Sequence, residues 1–272
     1  MAKPRKRHQQ QQLFGPKGGI PRARPVARKK RRRLGRKPNG PRAGSPHKTR
    51  PEISANYPVH IVLRVVPAVG SLRKRLMYAA LRQATITVAL RAELRAETEG
   101  AFRIVHISIQ RTHVHLLVEA DNKLALSRGM QSFQISAAKH LNHAASIKII
   151  KQGGTRRRGT VFPDRYYQEV IRTPTQARHA LAYVLNNWRK HREDEANLEA
   201  RRWKVDPFST GALFAGWQER VGEPLLWKTP WTYQPLVVYL PSTWLLKKGW
   251  LRGGGPFSVH DVPGQRPVPR PA

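Results

Sequence analysis

Phe102-Arg103-Ile104-Val105-His106-Ile107-Ser108-Ile109, then Gln110-Arg111-Thr112, then His113-Val114-His115-Leu116-Leu117-Val118 is the stretch that decides the fold. In its first part Ile107 and Ile109 are opposed to His106 and Ser108, the period of two expected of a half-buried strand. Gln110-Arg111-Thr112 is short enough for a tight connection, and Val114, Leu116 and Val118 carry a second alternation. Two strands so joined make an antiparallel hairpin. Upstream, His60-Ile61-Val62-Leu63-Arg64-Val65-Val66 is β-branched and bounded by proline, a buried strand. Ser71 then offers an N-cap to a long Leu-, Ala-, Arg- and Glu-rich helix that ends at Gly100. Downstream, Asn122 begins a helix through Met130, Phe133, Ala137 and Leu141. A basic loop from Gly153 to Gly159 leads to a strand around Tyr167 to Ile171. The order β-α-β-β-α-β predicts an α+β, ferredoxin-like antiparallel sheet with helices on one face. One further helix is signalled by Thr173 as N-cap, Pro174 at the first helical position and Gln176 completing a capping box, running to about His191.

The charge is as informative as the pattern. Across 272 residues there are 51 Lys+Arg against 16 Asp+Glu, a formal net charge of +35. Such an excess repels itself in a compact state, so it points to a polyanionic partner, with nucleic acid first. Residues 1–50 hold 18 of the basic side chains and no acidic one, including the run Arg28-Lys29-Lys30-Arg31-Arg32-Arg33. With its Pro, Gly and Gln content, residues 1–53 read as a disordered basic arm that binds phosphate without choosing a sequence. The chain has no cysteine, which excludes a disulfide scaffold, a thiolate zinc finger and a cysteine nucleophile. No apolar run approaches the roughly 20 residues of a membrane span, and the N-terminus lacks the apolar core of a secretory signal. A cytoplasmic, nucleoid-associated protein with no membrane partner is expected.

His113-Val114-His115 is the sharpest local feature. Residues i and i+2 of a strand share a face, so two imidazoles stand side by side as half of a divalent-metal site. An HxH recurs by chance in a chain with eleven histidines, so its weight comes from its place at the start of a strand. On the last helix the apolar stripe is Ala177, Leu181, Val184, Leu185 and Trp188. Tyr183 lies about 160° around the helix from Leu181 and shares a polar flank with His179 and Asn187, at i−4 and i+4. A core tyrosine belongs within the stripe; this one is offset, with a possible metal ligand one turn on.

Three segments together carry a family resemblance: His113-Val114-His115-Leu116-Leu117-Val118, Gly159-Thr160-Val161-Phe162-Pro163-Asp164-Arg165-Tyr166, and Arg172-Thr173-Pro174 through Ala182-Tyr183-Val184-Leu185-Asn186-Asn187. In this order they resemble the single-tyrosine HUH transposases, with the REP-associated tyrosine transposases, relatives of the IS200-like enzymes, as the nearest branch. The resemblance covers roughly Tyr57 to His191. It implies an enzyme that binds single-stranded or hairpin DNA and cuts it by transesterification. Tyr183 would be the nucleophile, leaving a 5′-phosphotyrosine and a free 3′-hydroxyl. His113 and His115 would hold Mg²⁺ or Mn²⁺, with Asn187 as third ligand, and the enzyme would work as a monomer or a homodimer. Two departures stand out: Arg111-Thr112 replaces the Pro-Asn or Pro-Glu that many relatives place before the first histidine of the pair. Trp188 likewise follows Asn187 where proline is common. Among rival tyrosines Tyr166 ranks next.

DNA contacts are expected from Arg156, Arg157 and Arg158 in the glycine-flanked loop, and from Arg165. Six tryptophans beyond Trp188 lie in residues 193–252, read as a C-terminal extension whose aromatics mostly make its own core. Residues 54–192 are then the catalytic domain and 253–272 a disordered tail. Two other readings compete: an inactive domesticated hairpin-DNA-binding protein, and an RNA-binding ferredoxin-like module. The second needs aromatics on the central strands, and Ile104 to Ile109 and Val114 to Val118 contain none.

Overall fold

A computed structural model of the chain describes residues 50–220 and 233–264. Residues 1–49 of the expected arm, and Trp227 and Trp231, lie outside the described residues; the last four residues of the arm, 50–53, are packed structure, with Ile53 in the first core and the Arg50 guanidinium over the Tyr166 ring. Four strands, β1 (Val59–Arg64), β2 (Phe102–Ile109), β3 (His113–Ala120) and β4 (Tyr167–Val170), form one sheet in the order β2-β3-β1-β4. Every neighbouring pair is antiparallel. Helices α1 (Arg75–Glu99) and α2 (Lys123–Lys151) cross between strands and pack on one another. The expected ferredoxin-like α+β order is what the chain adopts.

The period of two along β3 divides the molecule. Val114, Leu116 and Val118 enter a core with Ile61, Leu63, Ile104 and Ile107 under Leu81, Met130 and Phe133 of the two long helices. Leu117 instead joins Val105 and a second core built on α3 (Pro174–Lys190), so α3 covers the opposite face. Its start is as expected: the Thr173 hydroxyl accepts from the Gln176 N–H, and the Gln176 carboxamide accepts from the Thr173 N–H. Residue 129 of α2 has to be glycine, because the Phe102 ring occupies the space where its Cβ would stand.

Three expectations need correction. Helix α1 starts at Arg75 with Lys74 at the cap position; the Ser71 hydroxyl accepts from the Arg73 N–H and shapes the turn before it. Strand β2 is not half-buried: His106 and Ser108 are buried along with Ile107, because α3 and the extension cover that face. The extension is neither a separate core nor followed immediately by a disordered tail. Phe208 and Leu236 enter the first core, and Phe214, Trp217, Trp250, Phe257 and Val259 complete the second. Residues 253–264 are thus packed structure, with Phe257 and Val259 each 1% exposed.

The extension also closes the sheet. Ile109 N–H donates to Phe208 O, Thr210 N–H to Ile107 O and Tyr239 N–H to Ile104 O, so the outer edge of β2 is satisfied by chain far along the sequence. Glu119, fully buried on β3, pairs with Arg103 and accepts the N–H groups of Ser242 and Thr243 ahead of α4 (Trp244–Lys247). At the other end of the hairpin, Arg73 forms a bidentate pair with Asp206 and donates to Ile109 O. Glu193, just past α3, lies 3.5 Å from Arg73 and accepts from Arg111 in the β2–β3 turn. This ion network ties the turn that carries His113 to the end of α3. Removing one partner of a buried pair strands the other charge. Asp206→Ala is therefore expected to cost about 3 kcal/mol in urea unfolding, and a loss near zero would show that the network carries no stability.

Candidate active site

β1 and β3 present their second face to α3. Val62 is opposite His115 and His60 is opposite Leu117, so His60 is the diagonal neighbour of His115 on one sheet face. His60 Nε2 lies 3.1 Å from His115 Nδ1, with the ring centroids 5.3 Å and the ring planes 18° apart. His113 stands edge-on to His115 at 4.7 Å, and its Nδ1 is 3.3 Å from the Thr112 hydroxyl. From α3, the Tyr183 ring meets His115 edge-on at 5.2 Å and His60 at 5.9 Å. The helical offset of Tyr183 is thereby explained: the polar flank of α3 is the flank that faces the two histidines. One turn on, Asn187 is fully buried and neither atom of its amide has a hydrogen-bond partner. His115 Nε2 is buried and unpartnered as well.

Burial sets the electrostatics. Desolvation pushes His60 and His113 down to about 4, and His115, which also faces other imidazoles, to about 2. All three rings are neutral at pH 7 and carry a bare nitrogen each, the form that ligates metal. Desolvation pushes the Tyr183 phenol above its usual value. The Lys190 ammonium is 5.1 Å from the Tyr183 ring centroid and His191 is edge-on to His113 at 5.7 Å, at the last turn of α3.

Among the described residues no three His, Cys, Asp or Glu side chains are grouped to hold a metal ion. The expected set is different in kind, two imidazoles and an amide. Buried polar atoms are nearly always satisfied, so the orphaned His115 Nε2 and Asn187 Oδ1 beside Tyr183 fit a group that accepts their lone pairs.

The family model described as "Transposase IS200 like" matches residues 56–187. Residues 56–187 are thus similar to the IS200-like transposase family. A solved structure of a REP-associated tyrosine transposase bound to a REP hairpin is 19% identical, covering 73% of this chain and 100% of that chain at a TM-score of 0.42. No curated protein matches the chain. The matched segment ends at Asn187, so it takes in both histidines, the tyrosine and the amide.

Other expected residues fall elsewhere. Arg157 is turned inward, its guanidinium bonded to Asn142 and to Thr160 O, while its N–H donates to Ser146 of α2. Arg156 and Arg158 flank it and are exposed. Arg165 lines a cavity of about 790 Å³ with Arg50, Lys123, Tyr166 and Gln168, on the α2 side of the sheet. The rival Tyr166 is buried beneath the Arg50 guanidinium, 3.5 Å from its ring centroid, and Tyr78 donates to Gln234 O. His179, though on the flank of Tyr183, is exposed. Sequence reasoning passed over His60, Lys190 and His191. The sequence shows only that His60 alternates with Ile61 and Leu63; that its face is also the face of His113 and His115 follows from the β1–β3 pairing.

The buried imidazoles also set a pH dependence. His60, His106 and His113 have folded values near 4 against about 6.5 unfolded. The unfolded chain binds more protons in that window, so stability is complete above about pH 6.5 and declines as pH falls toward 4. Urea unfolding at pH 7 and pH 5 is expected to show the lower stability at pH 5; equal values would contradict neutral burial of these rings.

Proposed function

We propose that the chain is a DNA transposase that cuts and rejoins single-stranded or hairpin DNA through a covalent link to Tyr183. The observation that carries the reading is the edge of the Tyr183 ring against His115, with the unpartnered Asn187 amide one turn beyond. Tyr183 Oη would attack the scissile phosphorus as the phenol gives up its proton; the bond from phosphorus to the 3′ oxygen breaks, and that oxygen leaves as a 3′-hydroxyl. Because burial holds the phenol above its usual value, loss of its proton has to accompany bond formation. His113, His115 and Asn187 would hold Mg²⁺ or Mn²⁺, imidazole favouring Mn²⁺ on grounds of hardness. Such an ion would supply Lewis-acid polarisation of the scissile phosphate. Lys190 places a positive charge beside the tyrosine, where a phosphate must enter. The phosphotyrosine retains the energy of the phosphodiester, so the strand can be rejoined to another 3′-hydroxyl without ATP.

The inactive reading keeps the DNA and loses the chemistry. The RNA-module reading requires a sheet face open for base stacking, and α3 with the extension covers the face that α1 and α2 leave. The basic exterior suits phosphate contact in the cytoplasm, with Arg156, Arg158 and Arg165 as the DNA-contacting candidates; Arg157 serves first to shape its loop.

The test is incubation of the chain with labelled single-stranded DNA bearing a hairpin, with Mg²⁺ or Mn²⁺. A covalent adduct is expected, absent in Tyr183→Phe and in His115→Ala. Asn187→Ala should slow its formation by about 10–100-fold, the scale on which groups supporting a metal act. An adduct that persists in Tyr183→Phe assigns the nucleophile elsewhere, and DNA binding with no adduct under any metal supports the inactive reading.

A further inference from the structure

The contact between His60 and His115 poses a proton-placement problem that the proposed reaction leaves open. Their nearest nitrogens, His60 Nε2 and His115 Nδ1, are 3.1 Å apart, so one of the two must carry the hydrogen. If His60 donates, the proton of a neutral His115 has to sit on Nε2. That atom is buried with no acceptor, and orphaned buried N–H groups are rarer in proteins than under-used acceptors. If His115 donates from Nδ1, its buried Nε2 keeps a bare lone pair, on a ring that meets Tyr183 at 5.2 Å, and only a bare nitrogen can ligate a metal.

We infer that His60 is a positioning residue that accepts the Nδ1 proton of His115 and so keeps His115 Nε2 open as the metal donor. The inference rests on the metal role proposed for His115. Place and type of residue both suit the task. Residue 60 is diagonal to residue 115 across the β1–β3 pair, and its Nε2 is within hydrogen-bond reach of His115 Nδ1. Second partners of metal-bound histidines are usually carboxylates or carbonyls. Here a neutral ring does the same orienting without adding negative charge next to the phosphate, and the two ring planes, 18° apart, suit an in-plane N–H···N bond. The Tyr183 ring closes over both imidazoles edge-on, so the three side chains fix one another.

The experiment uses the full chain, ¹⁵N-labelled and free of metal, and reads the histidine tautomers from long-range ¹H–¹⁵N spectra. Calorimetry then measures Mn²⁺ binding to wild type, His60→Leu and His60→Gln. In wild type His115 is expected to carry its proton on Nδ1. In His60→Leu, which cannot accept, that preference should be lost and Mn²⁺ affinity should fall about 10–100-fold. His60→Gln, whose side-chain oxygen can accept the same proton, should restore both; it also serves as the test if His60→Leu does not fold. A His115 protonated on Nε2 in wild type, or a folded His60→Leu that binds Mn²⁺ as tightly as wild type, overturns the inference. A wild-type chain with the Nδ1 proton in place that binds no Mn²⁺ confirms the proton placement and sinks the metal role of His115 instead.

Discussion

Strand β3 is buried on both faces, and its period of two leaves no side chain without an assignment. Val114, Leu116 and Val118 go to the core beneath α1 and α2; His113, His115, Leu117 and Glu119 go to the face beneath α3. A slip of one residue would place imidazoles in the hydrocarbon core and valines at the site, so the packing that stabilises the sheet also fixes where the chemistry stands. Groups on a central strand, held from both sides, are positioned more tightly than groups on a loop. Tyr183 gains the same rigidity from α3, whose stripe of Leu181, Val184, Leu185 and Trp188 is buried against the sheet.

The ion pairs follow from that arrangement. A chain with 16 acidic residues against 51 basic ones has few carboxylates available. Asp206, Glu119 and Glu193 are all buried against arginines at the two ends of the β2–β3 hairpin. They tie the extension and the end of α3 to the strands that carry the histidines. The exterior stays basic for a polyanion while the site itself is built of neutral rings and an amide, so an entering phosphate meets attraction from outside and no repulsion within.

Much of this was legible in the sequence because it rests on local rules. The hairpin follows from two alternations around Gln110-Arg111-Thr112, the start of α3 from the Thr173, Pro174 and Gln176 capping pattern, and the offset of Tyr183 from helical geometry. What was hidden depends on contacts distant in sequence. That β2 is covered on its second face, that Phe208 and Thr210 pair with its edge, and that Phe257 and Val259 complete a core all require knowing where the extension returns. His60 was hidden for a related reason: a lone histidine in an apolar strand has meaning only once its neighbour across the sheet is known. Arg157 looked like a phosphate ligand because a run of three arginines shows charge but not which guanidinium the loop itself needs.

The central claim is that the odd face of β3 and the polar flank of α3 make one metal-dependent site around Tyr183. Anomalous diffraction from crystals of the chain soaked in Mn²⁺ tests it most directly. The account predicts one dominant peak bonded to His113, to His115 through Nε2, and to Asn187, next to the Tyr183 hydroxyl. A peak elsewhere on the molecule, with these three side chains unliganded at saturating Mn²⁺, would contradict it.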